Sequence, residues 1–348
     1  MKELLYLGTY TEQGEGIYVA TLDRSDYSCK IIQVVPSKDS PSFLAIHPNK
    51  KNLYASNEGN ATISAYTIDQ QTGALTLLNN VPSKGKAPCH LSIDPTGQLI
   101  FISNYVGGNL TVYRLKPDGS IGDLTDHIQN EGHKDQKPHM HSIIVSPNGQ
   151  YAYCSDLGID TIFIYQINLE SGKLIPATMP AVTVTSGDGP RHFLIHPNGK
   201  YGYSLGELNG VINTFSIESF SGKLSHLQRI SMLPSDFKDF NAAADLHFSP
   251  DGKYLYASNR GHDSLAIYQV DPESGLISLI GHEATRGKHP RNFLIDKLDK
   301  FVIVTNRDDN NVVFFDRNVT NGTLQYAHSQ FKIPTPVCVL QLFLGTSS

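Results

Sequence analysis

The sequence predicts an all-β protein, a seven-bladed β-propeller of four-stranded antiparallel blades with one blade closed by strands from both termini. Three observations carry this. One phrase of about fifty residues recurs six times along the 348-residue chain. Helical 3.6-residue periodicity is weak throughout. The two chain ends are each a fraction of the same phrase, and together they complete a seventh copy.

The phrase runs through a short apolar strand, a Pro/Gly turn, a second strand rich in Tyr and Ala, and a polar triplet. It reads PSFLAIHP at 41–48 with LYASNE at 53–58, then PCHLSIDP at 88–95 with IFISNY at 100–105. The third copy is MHSIIVSP at 140–147 with CSDL at 154–157, and the fourth is PRHFLIHP at 190–197 with YSLGE at 203–207. AADLHFSP at 243–250 with YASNR at 256–260, and PRNFLIDK at 290–297 with IVTNR at 303–307, are the fifth and sixth. The turn positions Pro48, Pro95, Pro147, Pro197, Pro250 and Lys297 are 47, 52, 50, 53 and 47 residues apart, too regular for accident. Two further strands follow each triplet, as in SLAIYQV at 264–270, a DPESG spacer, and LISLI at 276–280. Asp/Ser/Gly spacers between alternating flanks are hairpin chemistry, so each repeat is a four-stranded meander. LLYLGTY at 4–10, GIYVAT at 16–21 and KIIQVV at 30–35 supply three strands of the last blade, and PVCVLQL at 336–342 supplies its first. Radial closure of this kind protects strand edges, and residues 1–348 are read as one domain without a linker.

Composition removes several function classes. A chain with net charge −5 and no Lys/Arg-rich run offers no field to attract nucleic acid. No apolar stretch approaches a membrane span. The N-terminal MKELLY passes straight into a strand pattern, which leaves no room for a signal-peptide core and points to a cytoplasmic protein. Cys29, Cys89, Cys154 and Cys338 form no CxxC pair and are expected as buried free thiols.

In an antiparallel meander the start of the first strand and the end of the second point the same way, and the turn between them points the other. Ring closure should bring these positions from all blades to one rim. At the first-strand start the register gives Ser42, Cys89, His141, Arg191, Ala244 and Arg291, followed by His90, His192, Asp245 and Asn292. At the second-strand end it gives Tyr10, Glu58, Tyr105, Leu157, Glu207, Arg260 and Arg307. These positions vary towards His, Arg and Glu, whereas the opposite turns stay alike, as expected of a site grafted on a regular scaffold. His141, Arg191, Glu207 and Arg260 are the candidate catalytic set. His139, His192, Arg291, Arg307, Glu58, His90 and Tyr105 are candidate substrate contacts. His47 and His196 fall in the turns and read as turn chemistry, while His247 reads as a core or channel histidine. Glu58, taken alone, reads as a solvated charge.

There is no P-loop, no GxSxG elbow, no HExxH and no EF-hand loop. His133, His139 and His141 raise the question of a metal, but no third ligand type accompanies them, and no metal or cofactor is expected.

The whole chain resembles the seven-bladed propeller lactonases, the family of the bacterial propeller-type 6-phosphogluconolactonases, with the fungal carboxymuconate-lactonising enzymes as relatives. Its marks are GPRH at 189–192 with the following HPNG turn, Glu207 after Gly206, ASNR at 257–260, and the His139/His141 pair. The resemblance implies a site of one His, two Arg and a Glu: His141 or His139, Arg191, Arg260 and Glu207. It implies a small anionic lactone as substrate, 6-phosphogluconolactone above all. Neutral imidazole, with an ordinary pKa of ~6.5, suits activation of water. Arg191 or Arg260 would stabilise the oxyanion, Glu207 would orient a partner or assist proton transfer, and Arg291 and Arg307 would hold a phosphate. Two rival readings are a cycloisomerase acting on a muconate-like carboxylate and a non-catalytic binding propeller. The absence of Trp disfavours WD repeats.

Overall fold

The computed structural model describes residues 2–132 and 135–345. Among them are twenty-eight strands, β1–β28 in chain order, and no helix; no helix is therefore long and apolar enough to cross a membrane. The strands form seven four-stranded antiparallel sheets, the blades of the expected propeller. The blade whose strands run in the order β28-β1-β2-β3 is closed from both ends of the chain. There β1 (Lys2–Thr9) pairs with β28 (Pro336–Leu344) through Leu4↔Leu342 and Tyr6↔Leu340.

The first strands are β4 (Pro41–Ile46), β8 (Pro88–Ile93), β12 (Met140–Val145), β16 (Pro190–Ile195), β20 (Ala242–Phe248) and β24 (Pro290–Ile295), with β28 in the closing blade. Their partners are β5 (Asn52–Asn57), β9 (Leu99–Asn104), β13 (Tyr151–Asp156), β17 (Tyr201–Gly206), β21 (Tyr254–Arg260), β25 (Phe301–Asn306) and β1. The second strands of the six internal repeats are buried along their whole length, because both faces of each sheet are covered by apolar side chains. The chain divides into two compact units, residues 1–44 with 68–76 and 232–348, and residues 45–67 with 77–231. In the first unit β20 packs on β24 and β24 on β28; in the second β8 packs on β12 and β12 on β16.

A repeated polar bond joins blades within each unit. The buried Tyr6 and Tyr256 hydroxyls donate to Gly73 O and Gly322 O at 2.9 and 2.6 Å in the first unit. Tyr54 and Tyr153 donate to Gly119 O and Gly222 O at 2.8 and 3.0 Å in the second. Burying a large ring is favourable only if its hydroxyl finds a partner, and the outer-hairpin glycine supplies one. Gly222 has φ +70°, and a Cβ there would stand 2.5 Å from Tyr151 Cδ1, so both the turn and the close approach require glycine.

His47 and His196 do serve their turns: Nδ1 accepts from the backbone N–H of Asn49 and of Asn198 at 3.0 and 3.2 Å. Cys89, Cys154 and Cys338 are buried free thiols as expected. Cys29 departs from that expectation and is half-buried, because it opens β3 (Cys29–Pro36), an outer strand with one face in solvent.

Candidate active site

First strands in both units open on a β-bulge. Pairing of β8 with β9 steps from Pro88↔Asn104 to His90↔Ser103, and β12 with β13 from Met140↔Asp156 to Ser142↔Ser155. The same step occurs from Pro190↔Gly206 to His192↔Leu205 and from Pro290↔Asn306 to Asn292↔Thr305. Cys89, His141, Arg191 and Arg291 are thus the extra residues that the register steps over. A bulge bends the strand and re-aims the side chains it carries. In β20 the register skips both Ala244 and Asp245.

In the second unit this geometry gathers most of the expected residues. Arg191, 3% exposed, lies with Nε 2.8 Å from Glu207 Oε2. Its Nη1 is 3.0 Å from His192 Nε2. A guanidinium only donates, so His192 is neutral at Nε2 and carries its proton on Nδ1. The His192 ring stands edge-on to both His141 and His90, each at 5.5 Å between centroids. Tyr105 stacks on His139 at 4.5 Å and meets His141 edge-on at 5.4 Å. His139 Nδ1 donates to Tyr105 O at 3.0 Å, and its backbone N–H donates to Asp156 at 2.7 Å. Burial raises the Asp156 carboxyl above its ordinary value, against the opposing hydrogen bonds from His139, Asn130 and Gly158. Ile143 N–H donates to His90 Nδ1 at 3.4 Å. His90, His141, His192 and Arg191 are all buried, so three imidazoles and a guanidinium are held together out of bulk water, with the half-buried Glu207 carboxylate at their edge. Glu58, read from sequence as a solvated charge, is instead half-buried, because it directly follows the fully buried β5.

In the first unit Arg260 is buried and donates from Nε and Nη2 to Ala242 O and Ala243 O at 3.0 and 2.9 Å. Arg291 and Arg307 lie over one ring, Tyr10, at 5.1 and 5.3 Å from its centroid. The Arg307 contacts to Glu12 and Asp308, at 3.6 and 3.8 Å, are long and exposed, and contribute little. His247 Nε2 is 2.9 Å from Asp245 Oδ2, and the ring stands edge-on to Phe293 at 4.8 Å. Burial lowers the basicity of His247, but the Asp245 carboxylate more than offsets this and raises its pKa.

Sequence reading missed two participants. Tyr10 stood in the second-strand-end register series with no role given to it, and its place under two arginines needs the fold to be seen. Cys89 was read as a buried thiol, yet its sulfur lies 3.8 Å from His141 Nδ1; the available signal was that it shares the register position of His141 and Arg191. Among the described residues no group of His, Cys, Asp and Glu is arranged to hold a metal ion. His133 lies outside the described residues.

Residues 4–341 match the family described as lactonase, 7-bladed beta-propeller. The chain is 32% identical over 345 residues to a 6-phosphogluconolactonase of Bacillus subtilis, covering 97% of this chain and 98% of that one. It is 35% identical over 335 residues to a 6-phosphogluconolactonase of Formosa agariphila, covering 92% and 94%. The solved structure of a periplasmic gluconolactonase from Pseudomonas aeruginosa superimposes with a TM-score of 0.93 at 29% identity, over 99% of this chain and 100% of that one. With that sheet topology and a match over nearly its full length, the chain belongs to the family of seven-bladed β-propeller lactonases, enzymes that hydrolyse lactones.

Proposed function

We propose that this enzyme hydrolyses 6-phosphogluconolactone to 6-phosphogluconate, with His141 as the general base. The observation that carries the reading is the contiguous set His141, His192, Arg191 and Glu207 in one unit, where the His141 ring meets that of His192, itself bonded to a buried guanidinium. Water adds to the lactone carbonyl while its proton passes to the His141 imidazole. The ring C–O bond then breaks, and the same proton returns to the departing alkoxide oxygen. Arg191, already oriented by Glu207 and His192, stabilises the oxyanion formed in between. His141 is preferred over His139 because its ring touches both Tyr105 and His192, whereas His139 is stacked on Tyr105.

His139, His192, His90, Tyr105 and Glu58 are assigned to substrate binding and Arg260 to the catalytic set. Arg291 and Arg307 are assigned to the phosphate, since paired guanidiniums on one aromatic face suit a dianion. The reading takes 1–348 as one cytoplasmic domain acting on a small anionic lactone without metal or cofactor. The experiment is hydrolysis by purified, chelator-treated protein of 6-phosphogluconolactone and of the unphosphorylated lactone. His141→Gln should lower kcat about 100-fold or more on both, and Arg307→Leu should raise KM for the phosphorylated lactone alone. A wild-type rate in His141→Gln refutes the assignment of the base.

A further inference from the structure

Cys89 and His141 hold the same bulge position on neighbouring strands, β8 and β12, and their side chains meet at 3.8 Å between Sγ and Nδ1. The thiol is buried. Its sulfur also lies 3.4 Å from His141 O, 3.6 Å from Met140 O and 3.9 Å from Ser103 O. Carbonyl oxygens only accept, so an S–H proton directed to this group of carbonyls leaves a sulfur lone pair towards Nδ1. With the proton so placed, the sulfur accepts from Nδ1–H. An imidazole with its proton on Nδ1 has its basic lone pair on Nε2.

We propose that Cys89 is a positioning residue that fixes the Nδ1–H tautomer of His141 and so makes Nε2 the nitrogen that takes the proton from water. The inference rests on the reading of His141 as the base. Neighbouring rings are fixed by the same logic: Arg191 forces the Nδ1–H form on His192, and Tyr105 O forces it on His139. Cys89 extends that rule to the third ring. The three carbonyl dipoles that point at the sulfur disfavour a thiolate, so Cys89 is not the nucleophile, and no bond to sulfur forms or breaks.

The test is ring-nitrogen NMR of the full-length protein labelled with 15N-histidine, with His141 assigned through His141→Gln, alongside steady-state kinetics on 6-phosphogluconolactone. Wild type should show His141 protonated on Nδ1. Cys89→Ala should move His141 towards the Nε2–H form and lower kcat about tenfold, with KM changed less than about twofold, as befits a group acting through the base. Cys89→Ser, whose hydroxyl can donate to a carbonyl and accept from Nδ1–H, should keep the wild-type tautomer and most of the rate. If Cys89→Ala does not fold, Cys89→Val fills the space without a lone pair and takes its place. An unchanged tautomer overturns the proposal whatever the rate does, because a lost rate would then reflect packing alone. A shifted tautomer with unchanged kcat overturns its catalytic part. In that case a wild-type rate in His141→Gln assigns the failure to the choice of base, and a lost rate assigns it to Cys89.

Discussion

The two ends of each first strand both vary from blade to blade, but they vary differently. At the turn end the residue is His47, Asp94, Ser146, His196, Ser249 or Asp296, and each accepts from a backbone N–H within five residues of itself. His47, His196 and Asp94 accept from the backbone N–H two residues on, and Ser146 and Ser249 accept from Tyr151 and Tyr254 N–H at 2.9 and 3.0 Å. Asp296 accepts from Lys300 N–H at 3.1 Å. At the bulged end Cys89, His141, Arg191 and Arg291 share a backbone position and share no partner type. Variation that keeps a side-chain acceptor for a backbone N–H of its own turn marks scaffold, and variation that changes the chemistry marks a site. The comparison predicts that substitutions at the bulged end change rate and leave stability, and that those on the scaffold side do the reverse.

The sharpest break of that comparison is Arg191→Lys. The guanidinium spans Glu207 at 2.8 Å and His192 at 3.0 Å through different nitrogens. An ammonium presents one nitrogen and cannot hold both in that geometry. If Arg191 meets the oxyanion, kcat should fall about 100-fold, equivalent to about 2.7 kcal/mol, while the thermal midpoint moves by no more than a degree or two. A large fall in the midpoint with full rate per folded molecule would place Arg191 on the scaffold side.

Next in size is Arg24→Ala, at the turn end of the first unit. Arg24 forms ion pairs with the fully buried Asp296 and, at 3.0 Å, with Glu3, and its guanidinium lies 4.7 Å from the Phe301 ring centroid. Burial alone would raise the Asp296 carboxyl, but hydrogen bonds from Arg24, Gln341 and the backbone of Leu298 and Lys300 outweigh it and hold the pKa below the ordinary value. A carboxyl depressed in the folded state stabilises fully above its unfolded pKa of ~3.9. That contribution is lost as pH falls through the folded value. Wild type should therefore weaken in acid below about pH 4. Arg24→Ala should cost about 2 kcal/mol at neutral pH, less than a fully buried pair because Arg24 is partly exposed, and should flatten that acid limb. Urea denaturation across pH measures both, and kcat per folded molecule should not change.

Much of this division was legible in the sequence. The repeat phrase places the starts of β4, β8, β12, β16 and β24 to the residue, and β20 begins one residue earlier than its phrase at 243. His141, Arg191 and Glu207 were named with Arg260 as one catalytic set, and His192 as a substrate contact, because register puts them at matching ends of the first and second strands. The bulge was not legible, since Cys89, His141, Arg191 and Arg291 share no propensity that would announce it. Nor was the meeting of the His90, His141 and His192 rings, which depends on how three separate strands pack. Hydrogen bonds such as that from Tyr153 to Gly222 were hidden for the same reason: each half is an ordinary residue, and only packing of successive blades joins them.

The smallest effect tests the most repetitive part of the scaffold. Tyr153 is fully buried, stacks on Phe193 at 5.0 Å between centroids, and donates to Gly222 O at 3.0 Å. Tyr153→Phe keeps the ring and the stack and removes only the donor, leaving one carbonyl without that bond. The cost should be about 1 kcal/mol, seen as a lower urea midpoint with an unchanged m-value. The fold should survive, because Phe101 and Ile303 stand at the matching positions of two other blades, where no hydroxyl is available. Rate should survive as well, since Tyr153 pairs with Ile144, three residues along β12 from the bulged His141. A fall in kcat larger than the loss of folded protein would mean that blade packing itself sets the spacing of the histidine rings, and scaffold and site would then not be separable in this repeat.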